Sequence, residues 1–220
     1  MVQYGLIGSV LEEIMDANLK ALHNELDAAL AAKNAEKINL FRSKIGDQFP
    51  ATPEGAEANF RLGVSLLMAG QAVDDAIERL RKAAKAKQPT WTAQARLSLG
   101  LLLKAQGREQ QAMFELRKVA GGKTQDLAAA QAYGFMLIIL EDGKKNDEAQ
   151  RTRKQYHSLL EKLVEDEDEE ISCLAHFMFG MDLKFHGNRK EARKHLELAQ
   201  SKNGLQPEQA GQVEQALEQL

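Results

Sequence analysis

The feature that most constrains this chain is a glycine-and-alanine pattern that returns four times. The segments AEANFRLGVSLLMAG (56–70), AQARLSLGLLLKAQG (93–107), LAAAQAYGFMLIILEDG (127–143) and CLAHFMFGMDLKFHG (173–187) align on an interior glycine: Gly63, Gly100, Gly134 and Gly180. Each closes on a second glycine, Gly70, Gly107, Gly143 or Gly187. After a short polar turn, Ala76, Ala112, Ala149 or Ala192 opens a further helical pattern. The interior glycines lie 37, 34 and 46 residues apart. Repetition on this scale marks stacked two-helix units, and it points to a fold class before any element is assigned.

An interior glycine costs a helix about 1 kcal/mol relative to alanine, so four in register need a reason. The reason read here is a second helix crossing too closely for a Cβ. The closing glycine stands where a helix end favours a left-handed residue. The alanine after the turn is then the matching small residue on the second helix. Ala192, Leu196 and Ala199 share one helix face, as do Ala112, Leu116 and Val119, and Ala76, Leu80 and Ala83.

On these residues the chain resembles the tetratricopeptide repeat (TPR) family, over residues 55–204. The resemblance implies an all-α fold: a right-handed TPR α-solenoid of antiparallel helix pairs with about four repeats. The third copy departs from the pattern. It has extra residues before Gly143, and Arg153 and Tyr156 stand where a leucine and a small residue belong, so its helices are expected to run long, into the segment 160–170. Pro89 is one position away from the proline that usually closes a repeat.

The flanks read as caps. Ser9 and Glu12 form a capping box that would open a helix. Leu11, Met15, Leu19, Leu22, Leu26 and Leu30 stripe its face, Asn34 breaks it, and Ile38, Phe41 and Ile45 mark a second helix. FPATPEG (49–55) is the clearest boundary. Residues 1–50 are therefore expected to form an N-terminal helical hairpin, 55–204 the solenoid, and 205–220 a C-terminal capping helix opened by Pro207. That last helix would lay Val213, Ala216, Leu217 and Leu220 over the apolar end of the stack. The run EDEDEE (165–170) reads as a solvated linker, with Glu169 and Glu170 well placed at the next helix start; a docking point for a basic partner is the alternative.

Most chemistries find no support. With 29 basic and 32 acidic residues the net charge is −3, which gives no general attraction to nucleic acid or anionic lipid. The apolar run FMLIIL (135–140) is far short of the ~20 residues of a membrane span. LIGSVL near the start has no basic residue before it and is followed by Glu12, Glu13 and Asp16, unlike a signal peptide, so a soluble cytoplasmic protein is expected. The single cysteine, Cys173, excludes an internal disulfide framework. Cys173 and His176 share a helix face and could form half a zinc site, but no second pair has ligand spacing. Gly122-Lys123-Thr124 lacks the earlier glycine of a phosphate loop, Arg117 standing there, and reads as an inter-repeat turn. His23, His157 and His195 lie singly on helical patterns, and His186 is a helix-end residue. No enzyme activity, cofactor or metal is expected.

In the TPR family the first helix of each repeat lines a groove. Carried onto this chain, the lining is Phe60, Val64, Leu67 and Met68 with Glu57; Leu97, Leu101 and Lys104 with Gln94 and Ala105; Phe135 and Ile138 with Ala128, Gln131 and Ile139; and Phe177, Met181 and Lys184 with Leu174 and Phe185. The lysine and asparagine of carboxylate-clamp members are replaced by Phe60/Val64, Leu97/Leu101, Gln131/Phe135 and Phe177/Met181. The resemblance therefore implies a non-catalytic adaptor or scaffold that binds an apolar or amphipathic peptide segment of a protein partner. Lys104 and Lys184 would orient an acidic or C-terminal group. Two other uses of the apolar strip stand beside this: internal burial, including under the chain's own N-terminal helix, and self-assembly into a homo-oligomer by docking of that helix into a neighbouring protomer.

Overall fold

Every regular element among the described residues is an α-helix. The computed structural model describes residues 2–70, 72–122, 126–202 and 204–220, with side chains described from Ile14 onward. The chain divides into two units, Met1–Gly107 and Arg108–Leu220, so the division falls between the two helices of the second glycine-marked repeat. No helix among the described residues is long and apolar enough to cross a membrane.

The first unit holds α1 (Val2–Ala31), α2 (Ala35–Gln48), α3 (Pro53–Met68), α4 (Val73–Lys85) and α5 (Pro89–Ala105). Short turns fold each helix back on the one before, and α3 also meets α5, the stacking of like on like that defines a helical repeat. The helix starts follow local chemistry. Asn34 accepts from the Lys37 N–H, and Thr52 accepts from Gly55 ahead of Pro53. Pro89 occupies the first turn of α5, where its missing N–H is no loss, so it opens a repeat. The side chains of Ser9, Leu11 and Glu12 lie outside the described residues, but the backbone corrects the expected start. The helix already runs from Val2, because no proline precedes Ser9 and an established turn propagates readily.

Packing of α3 on α4 follows the small-residue logic. A Cβ on Gly63 would fall 2.9 Å from Leu80 Cγ and 3.3 Å from the Ala76 carbonyl oxygen. Ala76, Leu80 and Ala83 are fully buried behind it. A second close approach, absent from the repeat pattern, joins α2 to α3. A Cβ on Gly46 would lie 2.6 Å from Asn59 Oδ1. Asn59, fully buried, donates from Nδ2 to the Gly46 carbonyl (2.8 Å) and accepts from Arg79 Nη1 (3.1 Å). Arg79 also grips both Asp47 oxygens at 2.7 and 3.0 Å, so α4 is tied to α2 across α3. Against the upward push of burial, Arg79 and Lys82 hold the Asp47 carboxyl down at about 2.

The second unit holds α6 (Glu109–Ala120), α7 (Leu127–Asp142), α8 (Asn146–Leu163), α9 (Glu169–Phe185), α10 (Arg189–Ser201) and α11 (Pro207–Glu218). Lys123 and Thr124 lie outside the described residues. Asp168, the fourth residue of the acidic run, caps α9 by accepting from the Glu170 and Ile171 N–H groups, and the run's last two residues form the helix's first turn. α9 and α10 cross equally closely: a Cβ on Gly180 would sit 2.6 Å from Leu196 Cγ. Gly134 departs from this. The nearest atom to a Cβ there is the Tyr156 hydroxyl at 3.6 Å, an ordinary contact, because Tyr156 on α8 fills the space an approaching backbone would occupy. Gly143 also departs. Gly70, Gly107 and Gly187 are left-handed (φ +65°, +71° and +80°), whereas Gly143 has φ −80° and Lys144 takes the left-handed position at φ +54°. The extra residues before the turn shift the helix end by one.

α11 closes this unit. Val213 and Ala216 are buried against Leu196, with Phe177, Met181, Leu205, Leu217 and Leu220 packed around them.

Candidate functional site

A groove of the second unit lies between α7 and α9. Along α7, Gln131, Phe135 and Ile138 are spaced four and three apart. Along α9, Leu174, Phe177, Met181 and Phe185 follow at three, four and four. Each set therefore stands on one face of its helix. The two faces bound a cavity of about 870 Å³, completed by Tyr156 of α8 and Gln209 of α11. Ile138 and Phe185 are 47% and 75% exposed, large apolar side chains presented to water.

One end of the groove is polar. Glu141, Asp142, Asp182 and His186 line it. Arg153 pairs with Glu141, and His186 Nε2 lies 3.3 Å from the same carboxylate. His157 Nε2 sits 2.6 Å from Asp182 Oδ2, and His186 Nδ1 lies 2.8 Å from the Asp182 carbonyl oxygen. Burial, and then the Asp182 carboxylate, push the Tyr156 phenol above its ordinary pKa, so it stays neutral against this wall.

In the first unit, Phe60, Val64 and Met68 line a smaller cavity of about 350 Å³ with Arg42 and Arg61. Phe60 stacks on Trp91 (centroids 5.6 Å apart), and the Arg61 guanidinium lies over the same indole. Burial and neighbouring Arg61 hold Arg42 below its ordinary pKa. Leu67 is half-buried, Leu101 is 42% exposed, and Lys104 is half-buried on the last turn of α5.

Leu97, expected on the groove, is a core residue, only 7% exposed, and cannot offer contact area. Lys184, expected to orient an acidic group, donates instead to Gln219 at 2.7 Å and is not among the side chains lining the groove. Phe135, Ile138, Phe177 and Met181 do come together, with Phe177 and Met181 resting partly on the α11 cluster.

Cys173 and His176 do not face a common point. The buried thiol donates to the Ala199 carbonyl (3.3 Å), and burial raises its pKa. His176 turns to His195, with their Nδ1 atoms 2.9 Å apart. Phe179 stacks on both His157 and His195, at 4.9 and 4.5 Å between centroids. His157 and His195, read singly along the sequence, thus join His176 in one column, with His176 and His195, 19 residues apart, brought together by the α9–α10 turn. No group of three or more His, Cys, Asp or Glu positioned for a metal occurs among the described residues.

The fold is similar to that of two solved structures. One, described as the crystal structure of MamA protein, matches at a TM-score of 0.52 and 19% identity, covering 83% of this chain and 90% of that one. A second crystal structure of MamA matches at 0.50 and 20%, covering 79% and 91%. MamA is a TPR-containing protein, and the likeness shows an all-α, TPR-like helical-repeat fold. No protein-family model matches the sequence, and no curated protein matches it.

Proposed function

We propose that the chain is a non-catalytic adaptor or scaffold that holds an apolar or amphipathic peptide segment of a protein partner, chiefly in the α7/α9 groove. One observation carries the reading. Ile138 and Phe185 stand in water beside half-buried Phe135, Phe177 and Met181 around a cavity of about 870 Å³. Single exposed apolar side chains are ordinary on a soluble surface, but a contiguous patch marks a contact site. Phe60, Val64, Leu67, Met68 and Leu101 are the corresponding contacts proposed in the first unit. Ile138→Asp and Phe185→Ser are the direct test, because both positions are exposed and neither supports the core. Capture of partners from native lysate should fall with both variants while the helical circular dichroism signal and Tm hold. Undiminished capture would remove the groove from the proposal.

A second reading has its own support. α1 is 30 residues long and α2 only 14, so at 1.5 Å per residue α1 is longer by about 24 Å. Residues 14–18 are exposed without interruption, with Ile14 and Met15 at 52% and 49%. Such an overhang suits self-assembly through docking of α1 on a neighbouring protomer. It predicts a mass in light scattering that rises with concentration and returns to that of a monomer when residues 1–16 are deleted. A full chain that stays monomeric at high concentration rejects it.

A further inference from the structure

Resting on the adaptor reading above, we infer that the α2/α3 pocket of the first unit seats an apolar stretch of a protein partner in which one aspartate or glutamate side chain lies on Arg42. The starting observation is an arginine with nothing to hold. The Arg42 Nε is buried and has no hydrogen-bond partner among the described residues. Arg79, Arg117 and Arg61, by contrast, pair with Asp47, Glu148 and Glu57. Arg153 also has a buried Nε without a partner, yet its terminal nitrogen reaches Glu141. No carboxylate among the described residues pairs with Arg42. Glu57 acts on it only through space, and its Oε1 accepts from Arg61 Nε at 2.6 Å. A buried guanidinium without an acceptor forfeits hydrogen bonds that a ligand carboxylate can supply.

Charge and shape then set the occupant. Arg42 and Arg61 line the pocket, and counting Glu57 beside them, the wall keeps one positive charge in excess. One carboxylate balances that excess, whereas a phosphomonoester, with close to two negative charges, overshoots it. The carboxylate would also relieve the mutual repulsion of the two guanidiniums, the same proximity that helps hold Arg42 below its ordinary pKa. The rest of the wall is apolar. Phe60, Val64 and Met68 follow one another at four-residue steps along α3, and Met68 is 86% exposed. Trp91 backs Phe60 and carries the Arg61 guanidinium on its ring, which keeps Arg61 beside the pocket. The thioether and aromatic groups accept several apolar shapes, so selectivity falls to the acid seated on Arg42.

The test is a selection from a displayed library of random peptides against the full chain. The peptides are fused through their C-termini, so side chains are their only carboxylates. Those recovered on the wild type and lost on a Val64→Ser/Met68→Ser chain of unchanged Tm define the pocket binders. Enrichment of Asp or Glu at one fixed position beside apolar residues is the expected result. Replacing that acid by its amide should weaken binding about fivefold in fluorescence anisotropy, and the difference should vanish on Arg42→Met and Arg42→Gln chains. Tm should hold or rise in both, since each removes a buried donor without a partner. A preference for the acid that survives both substitutions overturns the inference, as do pocket binders without acidic enrichment; either result leaves the adaptor reading standing. Recovery of no pocket-dependent peptide also overturns it and removes Phe60, Val64 and Met68 from the adaptor's contacts. The Ile138→Asp and Phe185→Ser capture assay judges the α7/α9 groove separately.

Discussion

Leu196 of α10 lies over Gly180 of α9 so closely that a Cβ at 180 would be 2.6 Å from its Cγ and 2.8 Å from its Cδ2. Leu196 is fully buried, and the Ala192 carbonyl closes the other side at 3.2 Å. Neither can yield without moving α10. Gly180→Ala is therefore expected to lower stability by about 1–3 kcal/mol, the usual cost of forcing an extra carbon into a packed core. Gly63→Ala should act in the same direction for the same reason, against Leu80. Urea denaturation of the two variants measures both, and wild-type midpoints would refute the close-crossing account.

Gly134 gives the opposite sign. It is the same residue type at the same repeat position, yet a Cβ there meets only the Tyr156 hydroxyl at 3.6 Å. With no clash to offset it, Gly134→Ala gains helix propensity and should raise stability by up to about 1 kcal/mol. A fall in Tm would mean that Tyr156 is held more tightly than its contacts indicate.

Asn59 and Arg79 should behave as one unit. Asn59→Ala strands the Gly46 carbonyl and opens a buried gap, which costs about 1–3 kcal/mol. Arg79→Ala releases Asn59, Ser43 and Asp47 together. A double-mutant cycle read by urea denaturation is expected to show coupling above about 0.5 kcal/mol. Strict additivity would argue that the hydrogen bond at 3.1 Å adds nothing to the close approach of α2 and α3.

The contrast between Gly180 and Gly134 shows what was legible from the chain alone. The alternation of glycine, alanine and leucine reports helix pairing because it is written in local spacing, and Leu80 and Leu196 stand where that spacing puts them. Whether a glycine is truly crowded depends on its partner helix, and at Gly134 the partner carries Tyr156. Gly143 failed by one residue because added residues change which position ends the helix. The Asn59–Gly46 contact is invisible to repeat spacing, since it joins two helices across a loop with no motif of its own. The site divides the same way. Phe135, Ile138, Phe177 and Met181 follow from the faces of α7 and α9. Leu97 was misplaced because a face averages neighbours it does not know, and Lys184 because Gln219, the residue that caps the end of α11, reaches it from 35 positions along the chain. The carboxylate end of the groove gave one usable sign, Glu141 and Asp142 at the last turn of an otherwise apolar helix.

The histidine column carries the pH dependence. His176 is 7% exposed, and its Nδ1 lies 2.9 Å from His195 Nδ1, a contact that needs one nitrogen to donate and the other to accept. Both rings satisfy this when neutral, and a second proton would set two N–H groups against each other. Burial first, then His195, Lys202 and Lys194, push His176 down to about 4. Burial and Lys194 lower His195, with Glu191 opposing. As pH falls below the ordinary histidine value of about 6.5, the unfolded chain takes up protons that the folded chain refuses until near 4. The stability present above that range is therefore lost across it, by on the order of 2 kcal/mol at pH 4.5. Asp47 acts lower. Its carboxyl is held at about 2, so its contribution persists above the ordinary aspartate value and fades only as pH falls toward 2. Thermal melts from pH 8 to 3 should show the first loss between about 6.5 and 4, and His176→Gln should flatten that segment while lowering stability at pH 8. An unchanged slope in the variant would place the titration elsewhere and leave the pair with packing alone.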